Sequence, residues 1–62
     1  MIKLDNKYYN VNNIASFGKV TNKVTKITFM SITFINTING QHGINLPFNQ
    51  DEWDRLIKLR SW

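Results

Sequence analysis

The sequence predicts an α+β domain, a small antiparallel four- to five-stranded β-meander with one C-terminal amphipathic helix packed on one face. Three observations carry this. Residues 24–38, VTKITFMSITFINTI, are dense in β-branched and aromatic side chains, which suit a pleated surface. The Asn39-Gly40 pair that follows fits a type I′ hairpin turn, where both central residues need positive φ. The segment DEWDRLIKL then takes up helical spacing behind a capping signal at Asn49.

Each element follows from local signals. Strands over 1–4 and 7–11 flank Asp5-Asn6, a pair suited to a two-residue hairpin turn, which sets Ile2, Leu4, Tyr9 and Val11 on one side and Lys3 and Tyr8 on the other. Asn12-Asn13 punctuates the chain before a strand over 14–20, in which Gly18 marks a bulge or a close backbone approach. A turn at Asn22-Lys23 then pairs Val20 with Thr25, Lys19 with Lys26, Phe17 with Thr28 and Ala15 with Met30.

The strand over 24–38 leads through Asn39-Gly40 into a strand over 41–46, setting Ile35 against Ile44 and Thr33 against Leu46. Pro47 closes that strand, because proline donates no ladder hydrogen bond. A helix over 50–60 begins at the Asn49 cap, with Glu52 completing a capping box and Phe48 and Trp53 forming a hydrophobic staple. Trp53, Leu56 and Ile57 line its apolar stripe, Asp51/Arg55 and Asp54/Lys58 are spaced as ion pairs, and Trp62 is expected to tuck back onto the core.

The long strand is apolar on both parities. Ile27, Phe29 and Ile35 share one face, Met30, Ile32, Phe34 and Ile38 the other. A single domain of 62 residues has material to cover only one of them. With the helix laid on Ile27, Phe29, Ile35, Ile44 and Leu46, the open face presents Phe17, Lys19, Lys26, Met30, Ile32 and Phe34, with Lys3 and Tyr8 alongside. The alternative is a bulge near Phe29-Met30 that turns Met30, Ile32 and Phe34 inward.

On the first arrangement Phe17, Met30, Ile32, Phe34 and Tyr8 form a docking patch for a protein partner, a second copy included, because exposed apolar patches with aromatic and Met anchors mark interaction surfaces. Lys3, Lys19 and Lys26 supply a basic rim. The facing Lys19/Lys26 pair hints at an anion, so single-stranded nucleic acid stacked on Phe17, Phe34 or Tyr8 is the alternative partner. Aliphatic Met30 and Ile32 at the centre favour the protein.

Catalysis has no signature here. With no Cys and one His, the chain lacks a thiolate or a second imidazole for a metal centre, and no cofactor motif is present. His42 has no positioned nucleophile, Gly40 and Gly43 read as turn residues, and Ser16, Ser31 and Ser61 have no elbow context. The net charge of +4 lies upstream, where Lys3, Lys7, Lys19, Lys23 and Lys26 face Asp5 alone. No membrane span is expected, because no run approaches the roughly 18 apolar residues required. The absence of Cys fits a reducing compartment, and the Asn-, Ile- and Lys-rich composition fits an AT-rich genome. The expectation is therefore a small phage or mobile-element protein in a bacterial cytoplasm, inhibiting or modulating a host protein or nucleoprotein complex.

Overall fold

The computed structural model describes residues 1–60; Ser61 and Trp62, and with them the expected tuck of Trp62, lie outside the described residues. The α+β class holds, with antiparallel strands followed by one C-terminal helix. The strands are divided between two sheets. β1 (Ile2–Leu4) and β2 (Lys7–Tyr9) form a two-stranded ribbon, whereas β3 (Ile14–Thr21), β4 (Thr28–Ile38) and β5 (Gln41–Pro47) form a three-stranded sheet with β4 in the middle. The helix, α1, spans Gln50–Arg60.

Asp5 (φ 48°) and Asn6 (φ 69°) make the first hairpin turn, which brings Ile2 opposite Tyr9 and Leu4 opposite Lys7. The ribbon stops at Tyr9, two residues short of the expected strand end. Asn10 caps a 3-10 turn over Val11–Asn13, its side chain accepting the Asn12 N–H at 3.0 Å. A short polar side chain competes here with the ladder for the main chain.

The loop between β3 and β4 is longer than the expected turn at Asn22-Lys23. The Asn22 side-chain carbonyl accepts the Val24 and Thr25 N–H groups at 2.8 and 3.0 Å, and Lys26 takes positive φ (63°). Strand pairing resumes only at Thr21 and Thr28. Phe17 therefore opposes Ile32 rather than Thr28, and Lys19 opposes Met30 rather than Lys26. The slip for Phe17 is four residues, from 28 to 32. Being even, it leaves the side chains of residues 16–21 on their expected faces, whereas a register shift between Ile14 and Ser16 turns Ile14, expected beside Ile27 and Phe29, onto the Phe34 side.

The last hairpin carries the decisive irregularity. Asn39 (φ 50°) and Gly40 (φ 79°) form the expected turn, and Ile38 opposes Gln41. Thr33, however, opposes Gly43, so β4 residues 34–37 span the place of His42 alone in β5. That surplus of three residues is odd and inverts parity between the strands. Ile44 now opposes Ile32 and Leu46 opposes Met30, instead of Ile35 and Thr33. No bulge occurs at Phe29-Met30, where the alternative arrangement expected it; the irregularity lies at 34–37, and Met30, Ile32 and Phe34 are nonetheless turned inward. Gly43 is not a turn residue but sits in β5, where a Cβ would lie 2.6 Å from the Ile32 carbonyl oxygen.

The face with three long side chains of β4 and two of β5 becomes the core. Met30, Ile32, Phe34 and Leu46 are buried with Ile2, Leu4 and Leu56. Two elements cover it: the β1–β2 ribbon, whose Tyr9 ring stacks on Phe34 at 5.9 Å, and α1. The expectation that the helix covers Ile27, Phe29 and Ile35 is overturned, since Ile27 and Ile35 are each 63% exposed.

The helix itself matches its signals. The Asn49 side chain accepts the Glu52 N–H at 3.2 Å, and Phe48 and Trp53 lie with ring centroids 6.3 Å apart. The Glu52 carboxylate is spent elsewhere, accepting the Asp5 N–H at 2.8 Å and tying α1 to the first turn. Leu59 takes the packing role expected of Ile57, which is exposed. The expected Asp51/Arg55 and Asp54/Lys58 pairs give way to Arg55 donating to the Lys3 carbonyl at 3.4 Å and Gln50 donating to Asp54 at 2.9 Å.

Candidate docking surface

The residues expected to form an open patch are mostly inside. Met30 and Ile32 are fully buried and Phe34 nearly so, each under the ribbon and helix. Phe17 is half-buried, edge-on to Trp53 at 5.4 Å. These four do share one face with Lys19, as the strand parity required, but it is the covered one.

The basic residues do not converge either. Lys19 swings over the Phe48 and Trp53 rings, at 4.9 and 5.6 Å from their centroids, a cation–π arrangement that employs its charge internally. Lys26 belongs to the β3–β4 loop and does not face Lys19, so the anion hint from that pair disappears. Tyr8 remains well exposed, with the Lys3 ammonium 5.6 Å from its ring centroid.

Among the described residues, no helix or second sheet covers the other face of the three-stranded sheet. Its rungs run Val20–Phe29–Pro47, Gly18–Ser31–Asn45 and Ser16–Thr33–Gly43. The two rungs of small and polar residues read as a solvated face, ordinary in antiparallel sheets. The first rung is apolar and continues into the loop, where Val24 is 90% exposed and Ile27, as noted, stands mostly free.

This loop is a built structure. Besides the two bonds to the Asn22 side chain, Asn22 donates to the Ile27 carbonyl and Lys26 donates to the Asn22 carbonyl, both at 2.9 Å, and the Thr25 hydroxyl accepts the Ile27 N–H at 3.3 Å. It holds Val24 and Ile27 outward beside Lys23 and Lys26. All four acidic residues of the chain are Asp5, Asp51, Glu52 and Asp54, so residues 6–50 contain none. Sequence reasoning placed 24–27 inside the long strand and so missed this tip. The available signal was Asn22, a residue that readily captures the main chain two and three positions on.

Among the described residues, no three His, Cys, Asp or Glu side chains are grouped to hold a metal ion, and no helix is long and apolar enough to cross a membrane. No family model, curated protein or solved structure matches the chain.

Proposed function

We propose that the chain is a non-enzymatic docking module that engages a protein partner through the β3–β4 hairpin tip and the apolar rung behind it. The carrying observation is the pre-ordered tip, which presents Val24 and Ile27 beside Lys23 and Lys26. Burying each aliphatic side chain in a partner contributes about 1.5–3 kcal/mol. Little ordering entropy opposes it, because the loop is already fixed. The lysines orient the approach toward an acidic surface and raise the on-rate. The partner of this reading is a bacterial host protein that the module inhibits or modulates, and the AT-rich composition supports a phage or mobile-element origin. A stacked nucleic acid is less well served, since Phe17 and Phe34 are turned into the core and only Tyr8 offers an open ring.

The test is affinity capture from the bacterial host with the native chain and with Val24→Asp/Ile27→Asp, followed by calorimetry on the purified captured protein. A partner lost by the double variant, and bound more weakly at high salt, supports the reading. Equal binding by both forms, or salt-sensitive binding of single-stranded oligonucleotide that the double variant retains, contradicts it.

A further inference from the structure

We infer that the free edge of β5 is a second binding site, a strand-docking groove that takes an extended peptide segment of alternating apolar and acidic residues. It lies on a different element from the hairpin tip and stands without it.

β3 and β5 are the two edges of the three-stranded sheet. Sheet edges are normally blunted by lysine, proline or a bulge. β3 is blunted in this way, carrying Lys19 and a register shift at Ala15. β5 has Pro47 only at its end, and residues 41–46 contain no Lys, Arg, Asp or Glu. No turn, loop or cap hydrogen bond among the described residues reaches β5. Its outward N–H and C=O groups are a template for another strand.

The flanks of this edge differ, as an added strand requires. On the core side β2 stands off from the sheet and leaves a recess of about 240 Å³, lined by Lys7, Tyr8 and Tyr9 on one side and by Phe34, Ile38 and Ile44 on the other, with Asn39 and Gln41 at the hairpin end. That is below the range of roughly 300–1,000 Å³ usual for small-molecule pockets, and suits a single large side chain. On the opposite side Ser31, Thr33, His42 and Asn45 share the lining of a shallow depression with Ile32 and Ile44. Successive side chains of an added strand point to opposite faces. One set would enter the aromatic and aliphatic recess, and the other would lie over hydroxyls and amides.

Charge selects the peptide. Lys7 lines the recess and the chain carries +4, against Asp5, whose negative charge reaches Tyr9 at the recess wall. A second copy fits poorly. Its own β5 has Leu46 buried and Ile44 packed against its own core, leaving no free apolar side chain to deliver.

The probe is a blocked peptide alternating glutamate with valine around one central phenylalanine, with a lysine-for-glutamate counterpart, titrated into the 15N-labelled chain. The glutamate peptide should shift and protect amides of 41–46 and shift those of Lys7 and Tyr8. Lys7→Glu should weaken it by roughly fivefold and favour the lysine peptide. Tyr8→Asp, at an exposed position, should weaken both peptides while the spectrum stays folded. Val24→Asp/Ile27→Asp should leave binding unchanged, which separates this site from the tip. Shifts confined to 22–27, equal response to both peptides, no response at the solubility limit, or a doubled mass of the free chain with β5 already protected would each overturn the inference.

Discussion

Asn13 holds both main-chain groups of Asn36: its Oδ1 accepts the Asn36 N–H at 2.8 Å and its Nδ2 donates to the Asn36 carbonyl at 3.0 Å. Asn36 lies in the 34–37 surplus, where β4 has no ordinary partner in β5. The Asn13 amide thus stands in for a missing ladder rung. It anchors the 34–37 stretch from the β3 side, since Asn13 directly precedes Ile14, the partner of Phe34.

Replacing Asn13 by Ala should cost about 1–2 kcal/mol, as two main-chain hydrogen bonds are lost at a partly exposed site. Asn13→Asp should do no better, because the carboxylate keeps an acceptor and loses the donor. Urea unfolding should show a lowered midpoint at constant slope. An unchanged midpoint for both variants would remove Asn13 from the account.

Two glycines should respond in opposite directions. Gly43→Ala places a methyl group 2.6 Å from a main-chain oxygen and should destabilise by about 1–3 kcal/mol. Gly18→Ala meets nothing within 4 Å and should be neutral or stabilise by about 0.4–1 kcal/mol through the unfolded chain. Thermal midpoints of the pair check this, and equal effects would contradict the register around Gly43.

Phe34→Asp separates the covered face from an open one. An open Phe34 would give a folded protein that merely loses a partner. Here it is packed under Tyr9, and an unpaired buried charge costs more than a domain of 62 residues can lose, since roughly 0.05–0.15 kcal/mol per residue is typical. Circular dichroism should show an unfolded chain. Leu56→Ala, on the helix side of the core, should cost about 2–5 kcal/mol.

Burial, reinforced by the negative charge of Asp5, raises the Tyr9 phenol above its ordinary pKa of 10.0. The folded state favours the neutral phenol, so its contribution is complete below the unfolded value and is lost as pH rises through the folded one. Urea midpoints of the native chain should fall more steeply above about pH 10 than those of Tyr9→Phe. Parallel curves would show that Tyr9 ionises without linkage to folding.

Local signals were legible in the sequence. The Asp5-Asn6 and Asn39-Gly40 turns, the Asn49 cap, the Phe48/Trp53 staple and the helix bounds all depend on residues within a few positions of one another. So was the grouping of Phe17, Met30, Ile32 and Phe34, since an even slip preserves it. The choice of the covered face was not legible. It turns on an odd surplus held by a bond between residues 23 positions apart, and on a first hairpin that leaves the main sheet to serve as a second cover. No local pattern in the long strand, apolar on both parities, records either fact. The hairpin tip was hidden for a related reason: β-branched Val24 and Ile27 read as strand until Asn22 claims the main chain.

The most direct test of the buried face uses thiol labelling, which is clean because the chain contains no Cys. Ile32→Cys and Ile35→Cys differ by three positions and lie on opposite faces, the native side chains being 1% and 63% exposed. Under native conditions Ile35→Cys should react with Ellman's reagent at the rate of a free thiol, and Ile32→Cys roughly a hundredfold or more slower, through opening of the fold. Comparable rates for two folded variants, or faster reaction at position 32, would contradict the assignment of the Met30, Ile32 and Phe34 face to the core.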